Sequence, residues 1–303
     1  MYREIIKEIC DELHIEYHLL SKDWIIKLAK DNETRYLTGN KFDLNGHAVG
    51  NILDDKYAFY DCLKSLNIPV CEHSIFYRPN NKNSFAVGCH TKEELLALFY
   101  KYNQNVVVKP NHGSMGIGVF HVTTEEELFN VTKKLFKENY SISVCPFYEI
   151  KNEYRIIILA DEVKLLFKKE KPCVIGDGIS SLKELLVKFN PRYFNDIIVP
   201  DLILKKDEVY VYDFKFNLSR GSIANLDIDP ILKDRITSLA LNVTKKVGIT
   251  FASIDIIETT DNRLLVMEGN SGVTINKVID FIPNGYLTAK SIYKEAILKL
   301  FDK

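Results

Sequence analysis

Two acids sit in strand-forming surroundings near the C-terminus of the chain: Asp255 inside FASIDII (251–257), and Glu268 at the end of the apolar run in LLVMEGNSG (264–272). An unpaired charge within a run of strand formers is costly to bury, so Asp255 needs a cation or strong donors beside it. Side chains two apart on a strand share a face, which puts Asn270 next to Glu268 as another oxygen donor. Magnesium takes a few protein oxygens and completes its octahedron with water and phosphate, and Asp255, Glu268 and Asn270 meet that demand. Either acid alone could equally cap a strand end or pair with a lysine. Far upstream, VVVKPNHGSMGIG (106–118) places Lys109 at the end of a strand and Gly113, Ser114, Met115 and Gly116 in a loop. Backbone N–H groups of such a loop can close around phosphate while the lysine supplies a point charge. A tight hairpin with an exposed lysine is the plainer reading of the same residues. Together the segments point to ATP held by magnesium.

Further candidates lie between these motifs. NEYRIIIL (152–159) offers Glu153 and Arg155 on one strand face. The first could accept from ribose hydroxyls and the second could neutralise phosphate or carboxylate; a cross-strand salt bridge is the structural alternative. The glycines flanking Asp177 read best as a turn before a helix. In FNLSRGS (216–222) an amide, a guanidinium and a glycine fall within a few residues, so Asn217 and Arg220 could meet a transferred phosphate and its acceptor. Neither a Walker loop nor a strand-linked dinucleotide fingerprint is present, which removes the main support for those two nucleotide folds.

Strands and helices must alternate to position these residues. Ile5, Ile6, Ile9, Cys10 and Leu13 form one helical stripe over 2–13, followed by strand-rich stretches at 24–29 and 34–39. Residues 54–70 read as a helix closed by Asn67 and Pro69, and 91–102 as a second helix with a Thr cap and acids in its first turn. Next come a strand at 106–110, one through 117–122, a helix at 124–138, and strands near 141–147, 153–159 and 162–169. A helix near 179–189 and a strand near 208–213 follow. Asp229 and Pro230 supply an N-cap and N1 residue for a helix ending before Gly248, and the two acid-bearing strands pair through a turn at 259–263. The last helix spans 285–301 and carries Leu287, Ile292, Tyr293, Ala296, Ile297 and Leu300.

The bulk properties suit small partners. The 303 residues can bury a full core, and 40 basic against 41 acidic residues are interspersed, so no basic stripe argues for nucleic acid or membrane. Six cysteines lie scattered in mostly apolar contexts without a close pair, as reduced thiols do, and the seven histidines form no zinc pattern. The N-terminus is charged and amphipathic and no run reaches membrane-spanning length, so a cytoplasmic protein is expected.

It is the ordered set of motifs that resembles a known family, the ATP-grasp carboxylate-amine ligases. DDKYAFYDCLKSLNIPV (54–70) looks like the segment in which a lysine opens a helix, making Lys56 the first nucleotide lysine. VVVKP with its glycine loop looks like the second-lysine motif, carried by Lys109 and Gly113 to Gly116. VCPFYEIKNEYR (144–155) is similar to the adenine hinge and ribose acid, which implies backbone contacts around Phe147 and Tyr148 and a ribose contact from Glu153. KKEKPCVIGDGISSLKELL (168–186) looks like the cyanophycin synthetase and bifunctional glutathione synthetase branch, with Lys169 as the basic position before the turn. NLSRGS resembles a segment of the ligases that add glutamate to ribosomal proteins, carrying Asn217 and Arg220. SIDII and MEGNSG resemble the magnesium strands bearing Asp255, Glu268 and Asn270. The chain departs from that pattern at Gly269, where an apolar residue is usual, at Ser222 in place of glycine, and in lacking a proline after the second metal strand.

The resemblance implies a mixed α/β fold of the α+β type, the ATP-grasp fold. Residues 1–54 would form a short N-terminal region, 55–145 one gripping subdomain, and 146–303 a second with the metal site. It implies an ATP-dependent ligase that joins a carboxylate to an amine through an acyl phosphate, with magnesium or manganese, on amino acid or peptide substrates. Lys56, Lys109 and Lys169 would clamp phosphates, and Arg155, Asn217 and Arg220 would act on the acyl phosphate. A non-catalytic nucleotide-binding scaffold and an ATP-grasp kinase are the alternatives, and self-association is left open.

Overall fold

The computed structural model describes residues 1–79, 91–189, 199–218 and 221–302. Helix α1 (Tyr2–Leu13) leads into a four-stranded antiparallel meander, β1 (Glu16–Leu20), β2 (Ile25–Lys30), β3 (Glu33–Thr38) and β4 (Lys41–Phe42). The stretch 54–70, expected as one helix, proves to be the second of two. Helix α2 (His47–Asp54) stops at Asp55, whose extended backbone and side chain, accepting from Ala58 N at 2.7 Å, cap α3 (Lys56–Ser65). Val49, Ile52 and Leu53 form a short apolar stripe on α2 that packs against the core, but the helix makes barely two turns, too few to stand out as a periodic run in the sequence.

Next come β5 (Ser74–Tyr77), α4 (Lys92–Lys101), β6 (Val106–Pro110), β7 (Phe120–Val122), α5 (Glu125–Glu138) and β8 (Ser141–Pro146). They form a sheet of order β5-β8-β6-β7 whose core, built on Phe99, Val106, Val108, Leu128 and Val144, lies under α4 and α5. Helix α4 starts at the expected threonine and α5 also starts at one, each with a complete capping box, Thr91 with Glu94 and Thr124 with Glu127.

The central sheet holds the site. Strands β9 (Ile150–Leu159), β10 (Glu162–Glu170), β13 (Ile223–Asn225), β14 (Phe251–Thr259) and β15 (Leu264–Asn270) run in the order β13-β10-β9-β14-β15, all antiparallel. One face buries Tyr154, Ile156, Ile254 and Ile256 against α2, α3 and α7 (Pro230–Val247). The opposite face is apolar at one end, where Ile157, Leu159, Phe167 and Phe251 meet α1, the meander and α8 (Gly285–Phe301). At its other end that same face turns charged, carrying Glu153, Arg155, Lys169 and Asp255. This split explains why β14 is buried along its whole length yet carries Asp255.

Between β10 and β13, β11 (Cys173–Ile175) and β12 (Val209–Val211) pair beneath α6 (Leu182–Phe189) as a small separate layer. A Cβ at Gly176 would stand 2.1 Å from the Lys205 carbonyl oxygen, so the glycine permits a close crossing of two chain segments as well as a turn.

Candidate active site

A cavity of about 470 Å³ opens between the β5-β8-β6-β7 sheet and the charged end of the central sheet. Lys56, Lys109, Gly113, Ser114, Met115, Gly116, Phe147, Tyr148, Glu153, Arg155, Lys169, Asn217, Asp255, Glu268 and Asn270 all line it. Arg220 lies outside the described residues.

Register does the gathering. On the central sheet Glu268 pairs with Asp255 and Asp255 with Arg155, while Lys169 pairs with Glu153 one row along. Arg155 donates to Asp255 from Nε at 2.8 Å and from Nη2 at 2.6 Å, and Lys169 Nζ reaches the same carboxylate at 2.9 Å and bonds Glu153 as well. The cross-strand salt bridges that sequence reasoning held as an alternative are therefore present, inside the cavity wall. Burial opposes ionisation of Asp255, but Arg155 and Lys169 overcome it and hold its carboxyl well below the ordinary range. Burial pushes the Glu153 carboxyl up, against the pull of Lys169.

Glu268 differs from Asp255. It makes no hydrogen bond or ion pair among the described residues, and the buried Nδ2 of the neighbouring Asn270 is also without a partner. The Glu268 carboxylate, the Asn270 carboxamide and the lone pair that Asp255 Oδ1 keeps beyond its bond from Arg155 suit a hard cation completed by phosphate and water, more than a cage closed by protein alone. Gly269 between them has a steric cause: a Cβ there would fall 2.4 Å from Leu53 Cδ2 and 3.0 Å from Phe59 Cζ, so its absence lets α2 and α3 lie directly on β15.

The nucleotide end is assembled from three elements. Asn111 fastens the start of α3 to the end of β6, its carbonyl accepting from Lys56 N at 3.3 Å and its Oδ1 from Tyr57 N at 3.0 Å. Lys56 Nζ then donates to the Gly113 carbonyl at 2.7 Å. Burial pushes the Lys56 ammonium down, and Glu268 partly restores it. Met115, Gly116 and Gly118 all adopt positive φ, so the loop turns sharply over the cavity with Met115 exposed. Lys109 is 7% exposed and makes no ion pair among the described residues. At the hinge, Phe147 N donates to the Asn105 carbonyl at 2.9 Å, and its ring stacks on His121 with centroids 3.9 Å apart and lies 6.0 Å from Phe214.

Other lining residues escaped sequence reasoning. His73, 3% exposed, bonds Ser143 Oγ through Nδ1 at 2.6 Å, and burial next to Lys109 and Lys56 keeps its ring neutral. Asn40 comes from the β3–β4 turn, Thr274 and Lys277 from the chain after β15. His73 stands between Glu72 and Ser74 in no recognisable pattern, and Asn40 and Lys277 likewise gave no signal in the sequence.

This architecture is the ATP-grasp fold. A bifunctional glutathione synthetase from Pasteurella multocida superposes over 98% of this chain and 44% of its own, with a TM-score of 0.57 at 17% identity. A D-alanine–D-alanine ligase from Bacillus anthracis does so over 84% and 71%, with a TM-score of 0.55 at 16% identity. Within the sequence, residues 205–282 match the RimK-like ATP-grasp domain. The glutathione biosynthesis bifunctional protein of Streptococcus mutans is 22% identical over 301 residues, 90% of this chain and 38% of that protein. The cyanophycin synthetase of a Synechocystis strain is 26% identical over 202 residues, 58% of this chain and 23% of that protein. The chain thus spans well under half the length of these curated relatives. Among the described residues no helix is long and apolar enough to cross a membrane.

Proposed function

We propose that the protein is a cytoplasmic ATP-dependent ligase that joins the carboxylate of an amino acid or peptide to an amine, releasing ADP and phosphate. The observation that carries this reading is the convergence of Lys56, Lys109, the glycine loop, Glu153, Glu268 and Asn270 on one cavity. The names of the similar proteins agree with it. In this reading the base lies against Phe147 and Tyr148 and the ribose reaches Glu153. Lys56, Lys109 and the 113–116 loop hold the phosphates. Asp255, Glu268 and Asn270 would hold magnesium, which when bound neutralises the charge that develops on the phosphate oxygens.

The substrate carboxylate attacks the γ-phosphorus, the bond to the β-bridging oxygen breaks, and ADP leaves. Arg155, clamped to Asp255 through Nε and Nη2, keeps its Nη1 hydrogens for the acyl phosphate. Asn217 and Arg220 are assigned to the same group. The amine then attacks the acyl carbon, loses a proton, and displaces phosphate. Domain limits of 1–54, 55–145 and 146–303 are proposed for the functional units, although Phe59 and Leu63 of the second pack in the central-sheet core.

The test is ADP release across a panel of carboxylates with hydroxylamine as the trapping amine. Hydroxamate formed only with ATP, magnesium and a cognate acid supports the ligase. Bound ATP without turnover on any acid supports a scaffold, and a stable phosphorylated product inert to hydroxylamine supports a kinase.

A further inference from the structure

We infer that the cavity wall beyond Asn270 is a second anion subsite, so that the substrate presenting the reacting carboxylate carries a further carboxylate, held by Lys277 and Thr274. This rests on the ligase reading above and narrows its substrate class to dicarboxylates.

The first support is charge. Among the described residues, seven lysine and arginine side chains line the cavity against three carboxylates. A nucleotide triphosphate with its magnesium offsets part of this excess and one reacting carboxylate offsets a little more, leaving a cationic remainder that draws further negative charge into the cleft. The second support is how those cations are engaged. Arg155 and Lys169 are held by Asp255 and Glu153, and Lys56 by the Gly113 carbonyl. Lys277 is exposed at the rim and makes no hydrogen bond or ion pair among the described residues.

The third support is how firmly this wall is built. The β3–β4 turn hooks onto the segment after β15: Lys41 forms a β-bridge with Gly272, and Val273 N donates to the Asn40 carbonyl at 3.1 Å. A Cβ at Gly272 would stand 2.7 Å from Asn40 Oδ1, so glycine is what lets the Asn40 amide lie over the chain. Asp54 accepts from Ser271 Oγ at 2.8 Å and pairs with Lys41, tying α2 to the same point. Asn40 Nδ2 donates to Thr274 Oγ1, which leaves the threonine hydroxyl hydrogen free to donate to an incoming carboxylate beside the Lys277 ammonium.

The experiment is thermal unfolding of the full chain with magnesium and a non-hydrolysable ATP analogue. Aspartate, glutamate and glutamate-terminated dipeptides are compared with asparagine, glutamine and glutamine-terminated dipeptides as probes. The diacids should raise the midpoint above that with nucleotide alone and the amides should not. Lys277→Met should raise the diacid concentration for half-maximal shift at least tenfold while keeping the shift due to the nucleotide, and Lys277→Arg should restore most of the diacid effect. Equal stabilisation by diacids and amides, including none by either, or a diacid shift undiminished in Lys277→Met, would overturn the inference. Absence of any shift with nucleotide and magnesium would instead refute the ligase reading.

Discussion

Asp255 and Glu268 face each other across two strands yet do different work, and substitution separates them. Asp255 is 1% exposed and compensates Arg155 and Lys169, so Asp255→Asn leaves two cations short of a partner and should cost about 3–5 kcal/mol in chemical denaturation. Glu268→Gln removes an acid with no hydrogen-bond or ion-pair partner among the described residues. It should leave the denaturation midpoint nearly unchanged while turnover with magnesium falls by roughly a hundredfold or more, in keeping with charge stabilisation. Comparable destabilisation by both changes would show Glu268 to be structural. His73 gives a pH signature. Its pKa lies well below 6.5 in the folded protein, so below pH 6.5 the unfolded chain binds a proton that the folded one refuses. Stability should therefore decline as pH falls, by up to about 1.4 kcal/mol per unit from this group. His73→Gln should flatten that part of a stability profile measured between pH 5 and 7; an unaltered slope would assign the effect elsewhere.

At the scale of elements, the glycines between and beside the proposed ligands report how closely helices and strands approach. Gly269 lies under Leu53 and Phe59, and Gly272 under Asn40. Gly269→Val would force α2 and α3 away from β15, with an expected loss of about 1–3 kcal/mol seen as a lower denaturant midpoint at unchanged slope. Because the displaced strand carries Glu268 and Asn270, the magnesium concentration needed for activity should rise in the same variant. A Gly269→Val protein with unchanged midpoint and metal requirement would show that the helices do not set the strand's position.

Across the whole molecule, the nucleotide would add a bridge between the 113–116 loop, the hinge and the central sheet, on which α3 already packs. A ligand present at about a hundred times its Kd stabilises the folded state by about 2.7 kcal/mol, which in a chain of this size corresponds to a Tm rise of roughly 4 °C. Lys109→Ala should remove most of that rise while changing the unliganded Tm little, since Lys109 makes no ion pair among the described residues. Calorimetric titration of the same variant checks the affinity directly, and wild-type affinity would show that Lys109 does not bind phosphate.

Much of this molecule is legible in the amino-acid sequence by itself, because it depends on residues close together along the chain. The threonine capping boxes, the Asp229–Pro230 start of α7 and its Gly248 end at φ 80° are local chemistry. The period-two spacing of Glu268 and Asn270 follows from strand geometry alone. What only the tertiary structure decided was partnership. Asp255 needs a cation on sequence grounds, but that Arg155 and Lys169 supply the charge depends on the register of β9, β10 and β14, which no local spacing encodes. Asn40 had no local signal because it reaches the cavity only where the β3–β4 turn crosses the segment after β15, and Lys277, a few residues beyond that strand, belongs to no pattern of spacing. Gly269 showed in sequence only as a departure and Gly272 not at all, and their cause is the packing of another element against a missing Cβ, a property of two segments and not of one.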